Sequence, residues 1–313
     1  MPIIKKNDVA PERPVIIVLY GTPGSGKTSV ATTAENPLLI DTDRGFDRAT
    51  QRVDTLTANT WADIETAKAD MASYKTVVVD TAKACLDDYL ADHVINLNYK
   101  LKTNTIKRFG EMADQFKAFV NDLRKNGSDI VFVCHDKETA EGDVIRHAPD
   151  CTGQSKDLLL RIADQVGYLS VINKQRCISF EPTDRIVGKN VAQLPLMVVP
   201  DAATPEFHSF MASVIRSVKE SIQSKSEAQR AANELLEKLR TQLAKVETDD
   251  EAAGLMTACK ELPQILKQPF FKEIMAALTT KGFTYDAGKF SLPQPKDEPQ
   301  EKKKTSKKTA DGK

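Results

Sequence analysis

The sequence has no long apolar run, no paired-cysteine motif and no net charge, and each absence narrows the class of protein. No stretch approaches the ~18 apolar residues that span a bilayer, and the N-terminal MPIIKKNDVAPERP lacks the apolar core of a signal peptide. We therefore expect a cytoplasmic protein without a membrane partner. The five cysteines are scattered without a C-x-x-C pair, which disfavours a disulfide framework or a structural zinc site and predicts reduced thiols.

Charge gives no direct indication of a partner, because 44 basic residues balance 44 acidic ones. A neutral sum can still conceal basic patches, so nucleic acid is neither indicated nor excluded. At 313 residues the chain can hold one large domain and an appendage. Changes in composition predict four segments: a flexible arm at 1–13, a core at 14–216, a helical appendage at 217–290 and a disordered, lysine-rich tail at 291–313.

Short apolar runs, the first of them rich in β-branched residues, recur between residues 15 and 135 and are separated by helix-length segments. They are VIIVLY (Val15–Tyr20), PLLID (Pro37–Asp41), TVVVD (Thr76–Asp80) and IVFVCH (Ile130–His135). Continuous apolar runs of this length are typical of strands buried on both faces of a parallel sheet. We therefore predict an α/β fold with a mostly parallel sheet. Two later, alternating segments, VGYLSVIN (Val166–Asn173) and RCISFEP (Arg176–Pro182), predict a hairpin on the far side of the sheet.

The first strand leads into GTPGSGKT (Gly21–Thr28), which satisfies the phosphate-loop pattern G-x-x-x-x-G-K-[ST]. Successive amides of such a loop surround a β-phosphate at the positive end of the following helix. Lys27 is expected to bridge the β- and γ-phosphate oxygens of ATP, and the Thr28 hydroxyl to hold Mg²⁺. The nucleotide-binding candidates are Gly21, Thr22, Pro23, Gly24, Ser25, Gly26, Lys27, Thr28 and Ser29.

Three polar residues at the ends of other strands complete the predicted site. Asp80 ends YKTVVVD at the carboxyl edge, where ligands of open α/β sheets bind, and is predicted to be a second Mg²⁺ residue. Asp43, which follows Asp41 in LLIDTD, is the candidate base for the attacking water; helix capping or a salt bridge to Arg44 is the alternative. His135 is the candidate γ-phosphate sensor, or otherwise a hydrogen-bonded histidine at the sheet edge.

This order of motifs resembles the core of RecA. More closely, the chain is similar to the phage nucleotide-binding proteins of a small AAA-type family that includes RecA-like, single-strand annealing proteins of the Sak type. The resemblance covers residues 14 to about 200 and is carried by GTPGSGKTS, LLIDTDRGFDR, TWADIETA before YKTVVVDT, VFVCHDKE, APDCTGQSKDLLLRIADQVGYL and PTDRIVG. In RecA-like recombinases the residue matching Asp43 is the catalytic carboxylate, whereas RecA has glutamine where this chain has His135.

The resemblance implies an ATP-dependent recombination protein, with Mg²⁺, in the host cytoplasm if it is phage-encoded. It further implies a homo-oligomer, as a ring or filament, on single-stranded DNA beside a single-strand-binding protein. Sites of this type lie between protomers, and Arg185 in PTDRIVG matches a family-typical arginine that would reach a neighbour's γ-phosphate. Arg161 and Lys174 are weaker candidates, and a surface pair with Asp184 is the alternative for Arg185.

Two segments are candidates for DNA contact. Asn98–Gly110 interleaves cations with aromatic rings, and its candidates are Tyr99, Lys100, Lys102, Lys107 and Arg108, beside Phe109. An amphipathic helix with a solvated basic face fits the same pattern. The second is a loop predicted after the sensor strand at Asp136–Lys156, with Arg146 as its main candidate and Lys137, His147 and Lys156 beside it. The tail lysines suit either non-specific DNA contact or solubility.

Two other functions remain open at this stage. A loader or remodelling ATPase would act on a replication protein, and a nucleotide-regulated binding module would turn over little ATP. A small-molecule kinase is disfavoured because no arginine-rich lid stands out in the sequence.

Overall fold

A computed structural model describes residue 5, residue 8 and residues 11–292. Most of the predicted arm and nearly all of the predicted tail, including its lysines, therefore lie outside the described residues. The chain divides into two compact units, whose described parts are essentially residues 11–226 and 227–292.

The first unit alternates strands and helices. Its strands are β1 Ile16–Gly21, β2 Pro37–Asp41, β3 Asp54–Thr57, β4 Thr76–Asp80, β5 Asp129–Glu141, β6 Val144–Pro149, β7 Gln165–Ile172, β8 Gln175–Ser179, β9 Lys189–Asn190 and β10 Met197–Val198. Its helices are α1 Lys27–Ala31, α2 Trp61–Thr66, α3 Lys68–Met71, α4 Ala91–Leu97, α5 Thr105–Lys125 and α6 Gly153–Ile162. A π-helical segment covers Ala84–Leu90, and 3₁₀ turns cover Phe46–Arg48, Tyr99–Lys102 and Pro205–Ser209.

One mixed sheet organises this unit, in the order β3-β2-β4-β5-β1-β7-β8-β10. All neighbours from β3 to β7 are parallel, and β8 and β10 continue the sheet antiparallel. β6 pairs with the extended end of β5, and β9 pairs with β7. The predicted α/β fold with a mostly parallel sheet is confirmed, and the predicted hairpin is the β7–β8 pair, which joins the sheet through β1.

Alternate residues of β1 point into two different cores. Ile16, Val18 and Tyr20 pack in the cluster that contains the aromatic residues of α5, such as Phe116. Ile17 and the other odd-numbered residues pack with residues of α1 and with residues 210–218. Because both faces are covered, polar groups of this sheet can meet solvent only at the strand ends, and that is where a site can form.

The second unit has its own core. A helix, α7 Phe210–Lys245, runs across the boundary between the units, and α8 Asp249–Cys259, α9 Gln264–Thr280, β11 Thr284–Asp286 and β12 Lys289–Ser291 follow it. Residues from the second half of α7 pack with α8, α9 and the β11–β12 hairpin in one apolar cluster. The described helices include none that is long and apolar enough to cross a membrane.

One local prediction is wrong, and two strand elements were not predicted. The segment 136–156 is not a loop, because β5 runs on to residue 141 and turns into β6; Gly142 supplies the left-handed turn residue with φ +64°. The predicted helices of the appendage are present, and a β11–β12 hairpin that was not predicted follows them, where Gly288 has φ +86°. The strand β3 was also missed; its four residues DTLT carry no apolar run.

Candidate functional site

The carboxyl ends of four adjacent parallel strands place the predicted polar residues together. In the strand register, Gly21 at the end of β1 is opposite His135 of β5, and Asp41 at the end of β2 is opposite Asp80 at the end of β4. Loops that follow parallel strands emerge at one edge, so this edge forms a crevice.

The phosphate loop depends on glycines at particular positions. Gly24 and Gly26 have φ angles of +75° and +93°, in the left-handed region that side chains disfavour. At Gly21 the limit is space, since an added Cβ would lie 2.4 Å from the carbonyl oxygen of Leu169. The loop therefore needs glycine for backbone shape at two positions and for close strand packing at a third.

Lys27 and Thr28 begin α1 and face the end of β4. The buried Lys27 Nζ donates a hydrogen bond to the carbonyl oxygen of Thr22, at 2.9 Å. Burial lowers the pKa of the Lys27 ammonium, and the nearby Asp80 carboxylate opposes that shift. The Thr28 hydroxyl donates to Asp80 Oδ2, and burial raises the pKa of the Asp80 carboxyl. The peptide bond after Asp80 is cis.

The two aspartates that follow β2 have different environments. Asp41 is buried, and its carboxylate accepts hydrogen bonds from the backbone amides of Asp43, Gly45 and Phe46, at 3.0–3.1 Å. Asp41 therefore holds the loop. Asp43 is half exposed (49%), and its Oδ2 lies 3.5 Å from Nε2 of His135. Asp43 is thus the residue of the two that is free to meet a ligand in the crevice.

These residues surround one cavity of about 360 Å³. It is lined by Pro23, Gly24, Gly26, Lys27, Thr28, Ser29, Asp41, Asp43, Gly45, Thr50, Asp80, His135 and Arg176. Two buried polar atoms in this region, Ser25 Oγ and His135 Nδ1, have no hydrogen-bond partner. Buried polar atoms are nearly always paired, so such orphans are expected where a polar ligand is missing.

Arg176 is a cavity residue that the sequence analysis did not select as a candidate. Its Nη1 lies 3.3 Å from the point that a Cβ on Gly26 would occupy, which places the guanidinium against the phosphate loop. Arg176 begins RCISFEP, and no local motif marks it. Strand pairing brings it to the cavity. β7 pairs with β1, and β8 pairs with β7, where Arg176 is opposite Val171.

The predicted trans-acting cation lies elsewhere. Arg185 is exposed and is not among the described residues that line the cavity of its own chain. Its carbonyl oxygen accepts from the amide of His147, so it sits beside the β5–β6 hairpin. Of the weaker candidates, Arg161 lines a separate groove beside α5, and Lys174 is in the β7–β8 turn with φ +65°.

The first DNA-contact segment exposes one ring, that of Tyr99, together with several lysines, whereas Arg108 and Phe109 are half buried. Tyr99 is 72% exposed, and the Lys102 ammonium lies 5.4 Å from the centre of its ring. The Arg108 guanidinium lies 5.4 Å from the centre of the Phe109 ring. Lys100 and Lys107 are exposed in the same segment. The segment is a 3₁₀ turn followed by the start of α5, so the helical alternative accounts for its second half.

The second candidate segment forms the β5–β6 hairpin, with Arg146 exposed on β6 opposite Thr139. At its base Asp136, Glu138 and His147 lie close enough to hold a cation. However, Asp136 Oδ2 is already 2.6 Å from His147 Nδ1 and accepts from the Tyr168 hydroxyl at 3.3 Å. Tyr168 also stacks on the His147 ring. We assign this group to holding the hairpin on β7.

Comparison with known proteins gives one family match. A family model described as an AAA domain matches residues 13–191, which is more than half of the chain and contains the whole cavity. No curated protein matches the sequence.

Proposed function

We propose that this chain, which belongs to the AAA domain family of nucleotide-binding ATPases, uses ATP as a switch for its assembly on single-stranded DNA. The observation that carries the ATPase half is the grouping of Lys27, Thr28, Asp43, Asp80 and His135 around one cavity. The DNA half rests on the resemblance described above and on the exposed Tyr99 ring and the lysines beside it.

The phosphate loop and three side chains of the cavity have separate chemical tasks in this proposal. Backbone amides of the phosphate loop and the Lys27 ammonium bind the phosphate oxygens. Asp43 accepts a proton from the water whose oxygen attacks the γ-phosphorus, while the bond from that phosphorus to the β–γ bridging oxygen breaks and ADP leaves. His135, whose Nε2 lies 3.5 Å from Oδ2 of Asp43, is proposed to respond when the γ-phosphate departs.

The residues fit a Mg²⁺ ion as well. The Thr28 hydroxyl and the Asp80 carboxylate are in direct contact, and oxygen ligands of this kind are those that Mg²⁺ prefers. When bound, the ion neutralises charge on the phosphate oxygens. Asp80 must be ionised to serve as a ligand; burial raises the pKa of its carboxyl, whereas the hydrogen bond from Thr28 and the Lys27 ammonium favour the ionised form.

Two arginines are assigned different tasks. Arg176 supplies positive charge from the same chain, because its guanidinium already lies against Gly26. Arg185 is proposed to act on the site of a neighbour in a homo-oligomer, a ring or a filament. Both charges would stabilise the negative charge that spreads over the transferred phosphoryl group. The task of Arg176 requires no partner, whereas the task of Arg185 requires assembly of the oligomer.

The proposed DNA surface combines stacking and charge. An exposed ring such as Tyr99 can stack on a base, and Lys100, Lys102, Lys107 and Arg108 can follow the phosphates. Arg146, on the β5–β6 hairpin that begins at the sensor strand, is proposed as a second contact that responds to nucleotide. A single-strand-binding protein is the proposed companion on the same DNA.

The test is the ATPase rate and the particle size by light scattering, with and without single-stranded DNA and with Lys27→Ala as the inactive control. We expect DNA to stimulate hydrolysis and to enlarge the particles only with ATP. If hydrolysis depends on Lys27 but DNA changes neither quantity, the DNA half is wrong. Stimulation by a replication protein instead of bare DNA would indicate a loader.

A further inference from the structure

The second unit carries a small apolar pocket between α8 and α9. Its volume is about 330 Å³, at the lower end of the range of ligand pockets. Met256 and Cys259 of α8 and Phe271 of α9 provide the apolar part, and the Phe271 ring is held edge-on by Tyr285 of β11. The Phe271 ring therefore forms a fixed floor of the pocket, and an apolar side chain that enters the pocket has its surface removed from water.

Three lysines surround this floor. Lys260 at the end of α8 and Lys267 and Lys272 on α9 all line the pocket. Within residues 227–292, no carboxylate forms an ion pair with any of the three. The carboxylate of Glu273, next to Lys272, is instead held by Arg240 through two hydrogen bonds of 2.9 and 2.7 Å. Among the described residues of this unit, the positive charge at the pocket is thus left without a paired carboxylate.

We propose that this pocket binds an acidic peptide segment of another protein, with one aromatic or aliphatic side chain as its anchor. The anchor enters against Met256 and Phe271, and neighbouring carboxylates meet the three lysines. Methionine adapts to differently shaped apolar groups, which suits a pocket of this kind. Charge complementarity guides the encounter, and burial of the anchor supplies most of the affinity.

Other occupants fit less well. A symmetric second copy would bring the same lysines against one another. The tail of this chain, residues 293–313, carries seven lysines and four acidic residues, so its net charge has the same sign as that of the pocket. Single-stranded nucleic acid stacks on exposed ring faces, whereas Phe271 is half buried with its ring against Tyr285.

The probe is a fluorescein-labelled peptide, Ser-Asp-Glu-Asp-Asp-Leu-Phe, titrated with the full-length protein by fluorescence anisotropy. Two control peptides carry either serine in place of Leu-Phe or amides in place of all carboxylates. We expect both controls to bind at least about tenfold more weakly, and binding of the probe to weaken as salt is raised.

Lys267→Gln combined with Lys272→Gln tests the surface without touching the core, because it only removes charge from side chains at the pocket rim. This double variant should bind the probe at least about fivefold more weakly, whereas Lys238→Gln, an exposed lysine of α7, should bind it normally. Unchanged binding by the double variant would overturn the proposal. So would displacement of the probe by single-stranded DNA, or a dimer that the double variant fails to form.

Discussion

Removal of the Arg176 guanidinium tests whether the cavity binds phosphate with a cation from its own chain. In Arg176→Ala the group that lies against Gly26 is lost, while the backbone of β8 keeps its pairing with β7 and β10. A hydrogen bond to a charged group contributes about 1.5–3 kcal/mol. Because Arg176 is exposed, solvent screens it, and we take the lower end, which corresponds to about a tenfold loss of ATP affinity.

The measurement is ATP and ADP binding by isothermal titration calorimetry, with melting temperature as the control for folding. Arg176→Lys keeps a positive charge but lacks the planar guanidinium, so its ATP affinity should fall only about two- to threefold. The melting temperature should hardly change, since exposed substitutions usually alter stability by less than about 0.5 kcal/mol. A larger loss for ATP than for ADP would place the guanidinium at the γ-phosphate.

Measurements at decreasing protein concentration distinguish Arg176, which acts within its own chain, from a cation that a neighbouring protomer supplies. The effect of Arg176→Ala should persist at protein concentrations where only monomers exist, whereas Arg185→Ala should slow hydrolysis only in assemblies. Normal ATP affinity in Arg176→Ala, with the wild type binding well, would refute the reasoning. An Arg176 effect that appears only on assembly would refute it too.

Three further predictions follow from the same geometry. Asp43→Asn should lower kcat about 10²-fold with nearly normal ATP affinity, because it removes a proton acceptor. Asp41→Asn should instead destabilise the unit by about 1–3 kcal/mol, because it weakens three hydrogen bonds from backbone amides. Thermal unfolding distinguishes the two variants. Gly21→Ala should cost about 1–3 kcal/mol of unfolding free energy in denaturant titration, since its Cβ would meet the carbonyl of Leu169 at 2.4 Å; an unchanged midpoint would contradict the packing argument. Tyr99→Ala should weaken single-stranded DNA binding by about 1–3 kcal/mol in filter binding while Tyr99→Phe keeps it, and equal losses would rule out stacking.

Features encoded over a few neighbouring residues were predictable. PLLID and TVVVD are strands with the predicted bounds, since an apolar run that ends in aspartate has one favourable place at the edge of a buried sheet. The short strand β3 was not predictable in this way, because its DTLT sequence has no such run and only pairing with β2 makes it a strand. The β5–β6 hairpin was missed for a related reason: its polar residues are stabilised by cross-strand pairing.

The sequence by itself determined the phosphate loop, the order of the main buried strands along the chain, and the strand ends at which acidic residues occur. These depend on backbone conformation and local burial, which neighbouring residues largely control. Only the tertiary structure decided that the Oδ2 of Asp43 lies 3.5 Å from the Nε2 of His135 at the cavity. It also decided that Arg176, distant in the chain, lies against Gly26. Both outcomes depend on which strands become neighbours in the sheet, and contacts between distant segments form only when the whole core closes around that sheet.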